Sequence, residues 1–164
     1  MDDGDPTQIR SLAVTVEDVV TAVELNRTTS RRAVLRVTPP FNGRMRARLH
    51  VVLDGRSDVH PTATAPIHID PERLLTADAP SYPTAVETEE QLREDPAETY
   101  TVDRHHERHV AAVNDWRANL ADAFCDRVRI QTNAGPHEIE VKTLGDPPAR
   151  NHFTEPMKRD ENGG

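Results

Sequence analysis

The chain has one cysteine, one tryptophan, two tyrosines and three phenylalanines in 164 residues. The lone Cys125 excludes an intramolecular disulfide and any multi-cysteine metal centre. Hydrophobic residues at 35% and aromatics at 4% leave a small core, drawn mostly from Val, Leu, Ile and Ala. No apolar run reaches the roughly 18 residues of a membrane span. The first residues, MDDGDP, are acidic where a secretory signal would be basic and then apolar. A soluble, cytoplasmic protein with no membrane partner is the expectation. A glycine-rich phosphate loop, a GxSxG elbow and a CxxC pair are also missing. No catalytic residues and no cofactor are therefore expected, and the reading is non-enzymatic. Lysine is scarce as well: only Lys142 and Lys158 accompany 18 arginines.

The charge that is present is lopsided, with 28 acidic against 20 basic residues and a formal net charge of -8. Excess carboxylate, little lysine, small apolar residues and many Asp and Thr point to a salt-adapted protein, though GC-rich coding would also favour arginine. At molar salt the Debye length is about 3 Å. Diffuse attraction then fades, and only direct contacts hold a charged partner.

At this length a single domain is expected, spanning residues 9–145. A flexible acidic N-terminus, 1–8, would precede it, and a disordered tail, 146–164, would follow. Two similar modules flank an irregular acidic, proline-rich excursion at about 54–99. In the first, a short strand near Ser11 to Val14 leads to Thr15, which with Asp18 resembles a capping box. Val16, Val19, Val20 and Val23 form the stripe of a helix ending near Asn26. Two runs around PPFNG then read as a β-hairpin. Period-2 burial pairs Val37 with Met45, Leu35 with Ala47 and Ala33 with Leu49 on one face. In the middle, IHIDPERLL suggests a brief strand, an Asp70 cap and a short helix begun by Pro71, and VETEEQLRED another turn or two. In the second module Thr101 caps a helix to about Phe124, with the stripe Val102, His106, His109, Val113, Trp116, Leu120 and Phe124. A hairpin around NAGP follows, with Ile130 facing Ile139, Val128 facing Val141, and Arg129 meeting Glu140. The expected class is α+β: an antiparallel sheet of about four main strands from two hairpins, with two amphipathic helices packed on one face.

The stretch RTTSRRAVLRVTPPFNGRMRAR, Arg27 to Arg48, holds seven arginines and no acid, against 13 basic and 28 acidic residues elsewhere. Its hairpin leaves Arg36, Arg44, Arg46 and Arg48 on the outer face, with Arg36 opposite Arg46. Like charges directly opposed destabilise a sheet, so an anion must compensate. Carboxylates of the acidic middle segment, a protein partner and nucleic-acid phosphate are the three sources, and the guanidinium fork suits each. Arg31, Arg32, Arg36, Arg44, Arg46 and Arg48 are the candidate anion- or nucleic-acid-binding residues. Only Phe41 is nearby for stacking, and no helix-turn-helix, zinc-finger or RRM signature occurs.

RHHERH is the one metal-like run. His105 and His109 are at i, i+4 and His106 and His109 at i, i+3, and His60 and His68 could join them. The residue after His105 is His106 where a metalloprotease has Glu, so that pattern fails. Histidines hydrogen-bonded against the core are the plain reading, with a metal-stabilised or metal-dependent protein as the alternative. A homo-oligomer whose arginine face meets its own acidic segment is another.

The strings RSLAVTVEDVV, TSRRAVLRVTPPFNGRMRARLHV and YTVDRHHERH give a chain that resembles an uncharacterised family of small haloarchaeal proteins over about residues 9–145. The resemblance implies a salt-adapted cytoplasm and brings no functional residues with it. The expectation is a binding or adaptor domain that contacts an anionic partner, nucleic acid or a ribonucleoprotein, through the arginine face.

Overall fold

The computed structural model describes residues 4–53, 65–132 and 134–145. They form two compact units: one from the spans Met1–Ala79 and Ala123–Asp146, the other including Pro80–Asp122. The class is α+β, with the strands spread over two sheets of the first unit. The expected tail 146–164 and residues 54–64 of the excursion lie outside the described residues. Residues 6–8, expected to be flexible, form a 3-10 turn that Asp5 caps by accepting from the Thr7 amide.

In the first unit β1 (Ser11–Thr15) alternates buried and half-buried residues and runs directly into α1 (Val16–Thr28). Thr15 Oγ1 accepts from the Asp18 amide at 3.1 Å, a standard N-cap. The Asp18 carboxylate does not close the expected capping box. It accepts instead from the Leu49 amide, 3.2 Å away on a neighbouring strand. Val16, Val19, Val20 and Val23 are all buried, as the helical stripe requires. At the other end Asn26 accepts from the Ala33 amide (2.7 Å) and donates to the Ala33 carbonyl (3.0 Å), clamping the next strand to the helix.

That strand, β2 (Arg32–Val37), is the centre of a three-stranded antiparallel sheet. It is flanked by β4 (Arg48–Val52) and β5 (Ile67–Ile69). Its register pairs Leu35 with Leu49 and Arg36 with Arg48, two residues further along than the alternation suggested. The reason is β3 (Arg44–Arg46), which leaves the hairpin and lies parallel to β1, with Ser11 beside Arg44 and Ala13 beside Arg46. Ala47 is the crossing point between the sheets. Its amide donates to the Ala13 carbonyl at 2.9 Å, and its methyl is fully buried.

The second sheet has the order β3-β1-β7-β6 and is mixed. β7 (Gly135–Leu144) runs parallel to β1, and β6 (Arg127–Thr132) antiparallel to β7. The single four-stranded antiparallel sheet expected from two hairpins is therefore two sheets joined through β3 and β4. The β6–β7 register is also displaced by two residues: Val128 faces Ile139, and Arg129 faces Glu138 rather than Glu140. Gly135, with φ of +104°, allows a tighter turn than one spanning NAGP, because glycine tolerates positive φ. The middle segment contributes β5 and a 3-10 turn, Pro71–Leu74, started by Pro71; Asp70 precedes it but makes no side-chain cap.

The second unit holds α2 (Ala85–Glu94) and α3 (Val102–Leu120). α2 carries a complete capping box, Thr84 with Glu87, and is nearly three turns long rather than one or two. Thr101 caps α3 by accepting from the Arg104 amide at 3.0 Å. Trp116 and Leu120 are buried. The Trp116 indole donates to the Pro80 carbonyl (3.1 Å) and meets the Tyr82 ring edge-on. The expected stripe fails toward the N-terminus: Val102 is 74% exposed and His106 is exposed. There His105 and His109 bond Thr88 of α2, and Arg108 pairs with Asp95 just past the end of α2, so hydrogen bonds and an ion pair join the helices on this side. Phe124 falls beyond the helix and pairs with Leu75 in the first unit.

Candidate anion-binding pocket

An extended strand places alternate side chains on opposite faces. Along β2 the odd-numbered residues Ala33, Leu35 and Val37 are buried on one face. Arg36 and its register partner Arg48, and Val34 and its partner His50, belong to the other, where Val34 is buried too. Arg36 has Arg48 beside it on β4 and His68 beside it on β5, so three basic side chains cross the sheet in one row. From Arg48 a second row runs back along the chain through Arg46 to Arg44 on β3. A pocket of about 370 Å³ opens where the rows meet, lined by Arg36, Thr38, Arg44, Met45, Arg46, Arg48, Leu49 and His50.

Among the described residues no carboxylate lines this pocket. Arg36 Nη1 lies 3.3 Å from both ring nitrogens of His50, and the His50 and His68 rings are 5.4 Å apart. Among the described residues, the side chains of Arg44, Arg46 and Arg48 form no hydrogen bond or ion pair, and Arg44 engages only through its backbone amide, to Asn42. Elsewhere arginines do find acids. Arg27 pairs with Glu72 at 3.0 Å and Arg32 with Asp70 at 3.2 Å, all four side chains more than half exposed and each pair worth about 0–1 kcal/mol. Four of the six candidate arginines thus share one pocket. Arg32 is taken up by Asp70, and Arg31 is exposed at the start of β2, outside the lining. The sequence reading passed over His50. The signal was present, since His50 follows Arg48 by two residues and shares its face.

The histidines of RHHERH separate by function in the second unit. His105 Nε2 is 2.9 Å from the Ala85 carbonyl and 3.1 Å from the Thr88 hydroxyl. A carbonyl only accepts, so Nε2 carries a proton and donates. His109 Nδ1 is 3.1 Å from the same hydroxyl, and Thr88 is 3% exposed. Two histidines and one threonine thereby fasten α3 to α2, the plain reading of the run. His106 is exposed and apart from them. Among the described residues no three His, Cys, Asp or Glu side chains come together to hold a metal. His68 belongs to β5, and His60 lies outside the described residues.

Three arginines of the same unit, Arg93, Arg104 and Arg108, pair with acids within it. Arg104 donates to both carboxylate oxygens of Glu98 at 2.8 Å and to Glu107 at 3.0 Å. The Arg104 hydrogen bond holds the Glu98 carboxyl below its ordinary range, and Glu98 and Glu107 raise the Arg104 guanidinium in turn. Arg108 pairs with Asp95 at 3.2 Å.

An α+β domain with a pocket lined by four arginines on its first hairpin is what the geometry defines. The chain belongs to a family described as a domain of unknown function (DUF8009), whose model matches residues 1–145. No curated protein and no solved structure matches it. None of its described helices is long and apolar enough to cross a membrane.

Proposed function

We propose that the domain is a non-enzymatic binding module that holds an anionic partner, nucleic acid or a ribonucleoprotein, on Arg36, Arg44, Arg46 and Arg48. One observation carries the reading: four arginines line one pocket, and among the described residues no carboxylate joins them in the lining. Convergent like charge is costly without a counter-charge, and phosphate fits the guanidinium fork bidentately. The low lysine content and net charge of -8 support a salt-adapted cytoplasm as the setting. There the Debye length of about 3 Å favours short direct contacts of this kind. Recovery of RNA and DNA by the wild type and by a variant with all four arginines changed to Ser, in molar KCl, tests the proposal. Loss of recovery in the variant is expected; equal recovery rejects it.

A further inference from the structure

The pocket is more particular than a positive patch. Arg44, Arg46 and Arg48 alternate along one nearly continuous strand, since only Ala47 separates β3 from β4. At about 3.3 Å per residue, successive guanidinium stems leave the backbone roughly 6.6 Å apart, and the run extends about 13 Å. A single phosphate would occupy one step of such a ladder; a chain of phosphates occupies all of it. Across the sheet, Arg36 and Arg48 are register partners on adjacent strands, about 4.8 Å apart. That row is narrower than either groove of a duplex, about 6 Å and 12 Å, and suits the gripping of one phosphate from two sides. Among the described residues the only ring in the lining is His50, and it lies against Arg36 and beside His68. Phe41 is buried, at 3% exposure. Among the described residues bases therefore meet no stacking platform of the kind that single-strand readers use.

We infer that the pocket holds one unpaired nucleic-acid strand by about three successive phosphates, without reading its bases. This rests on the anion-binding function proposed above. The strand runs along Arg44, Arg46 and Arg48, and Arg36 closes on the phosphate at Arg48. Thr38 and His50 are the other polar side chains of the lining among the described residues, too few to read a succession of bases or sugars, so neither the DNA–RNA difference nor base identity enters.

Fluorescence anisotropy of the full chain provides the test, using labelled oligo(dT), oligo(U), a mixed-sequence single strand and a duplex, each about twelve nucleotides long. The titrations run from about 0.1 M KCl upward. Single strands are expected to bind about tenfold or more tightly than the duplex, and within about threefold of one another. The plot of log affinity against log salt should have a slope of about -2, and Arg46→Gln should flatten it by about 0.7. Arg129→Gln, on the other hairpin, serves as a control and should change neither. Duplex binding equal to or tighter than single-strand binding overturns the inference while the binding module stands. A preference of more than about tenfold for one base composition overturns the phosphate-only mode. Binding of none of the four overturns the proposed function itself.

Discussion

The hairpins β2–β4 and β6–β7 bury matching inner faces and differ in what they turn outward. Inside, Ala33, Leu35 and Val37 on one, and Val128, Ile130, Ile139 and Val141 on the other, are all buried. Outside, Arg127 faces Glu140 and Arg129 faces Glu138, with Arg127 reaching Glu138 at 3.9 Å and Lys142 reaching Glu140 at 3.3 Å. On the first hairpin Arg36 faces Arg48 instead. Opposite charges across a strand pair favour the sheet and like charges oppose it, by about 0.2–1 kcal/mol in either direction. One hairpin thus has an outer face consistent with folding alone. The other sets like charge against like, at a cost in stability that an anion on that face would return.

The largest effects should be those that treat the hairpins alike. Leu35 and Ile139 are each at most 1% exposed, so Leu35→Ala and Ile139→Ala should each lower unfolding free energy by about 2–5 kcal/mol in urea titrations. A marked inequality would break the equivalence of the inner faces. The sharper test is smaller. Arg48→Glu turns the opposed arginines into an opposite-charge pair and should stabilise the fold by about 0.2–1 kcal/mol while abolishing nucleic-acid recovery. Glu138→Arg, its mirror on the second hairpin, should destabilise by a similar amount and leave recovery unchanged. If Arg48→Glu destabilised, the strain assigned to the arginine face would not exist.

The smallest effect lies in the second unit, where Arg104 is paired with Glu98 and Glu107. The Arg104 bond holds the folded-state carboxyl of Glu98 below its unfolded value. Its stabilising contribution is therefore present above the unfolded pKa, about 4.3, and is lost as pH falls through the lower folded value. Glu98→Gln should remove a small part of the acid sensitivity seen in thermal melts between about pH 5 and pH 3. An unchanged acid profile would show that the pair contributes nothing measurable.

Period-2 alternation told correctly which residues of the second hairpin face inward, as it did Ala33, Leu35 and Val37 of the first, whereas Met45 and Leu49 line the arginine pocket and Val34 is buried on the outer parity. The helical stripe of α1 was legible throughout. Both registers were nonetheless displaced by two residues. A shift of two preserves every face, so burial patterning cannot detect it. Turn geometry decides it, through Gly135 in one hairpin and the departure of β3 in the other. The parallel partnership of β1 with β3 and β7 was illegible for a different reason: it joins segments far apart in the chain, and no local pattern records a distant partner. In α3 the apolar period was misleading near Val102, because His105 and His109 dock through Thr88 by hydrogen bonding. The arginine cluster was legible as a face and the pocket was not, since its shape depends on the strand changing sheets.

That change of sheets at Ala47 has a mechanical meaning. Arg46 is rooted in the mixed sheet and Arg48 in the antiparallel one, so any guest that spans both ties two separately hydrogen-bonded layers with one tether. Occupancy should then register as slowed amide exchange in β1 and β2 together, even though neither strand carries the whole grip.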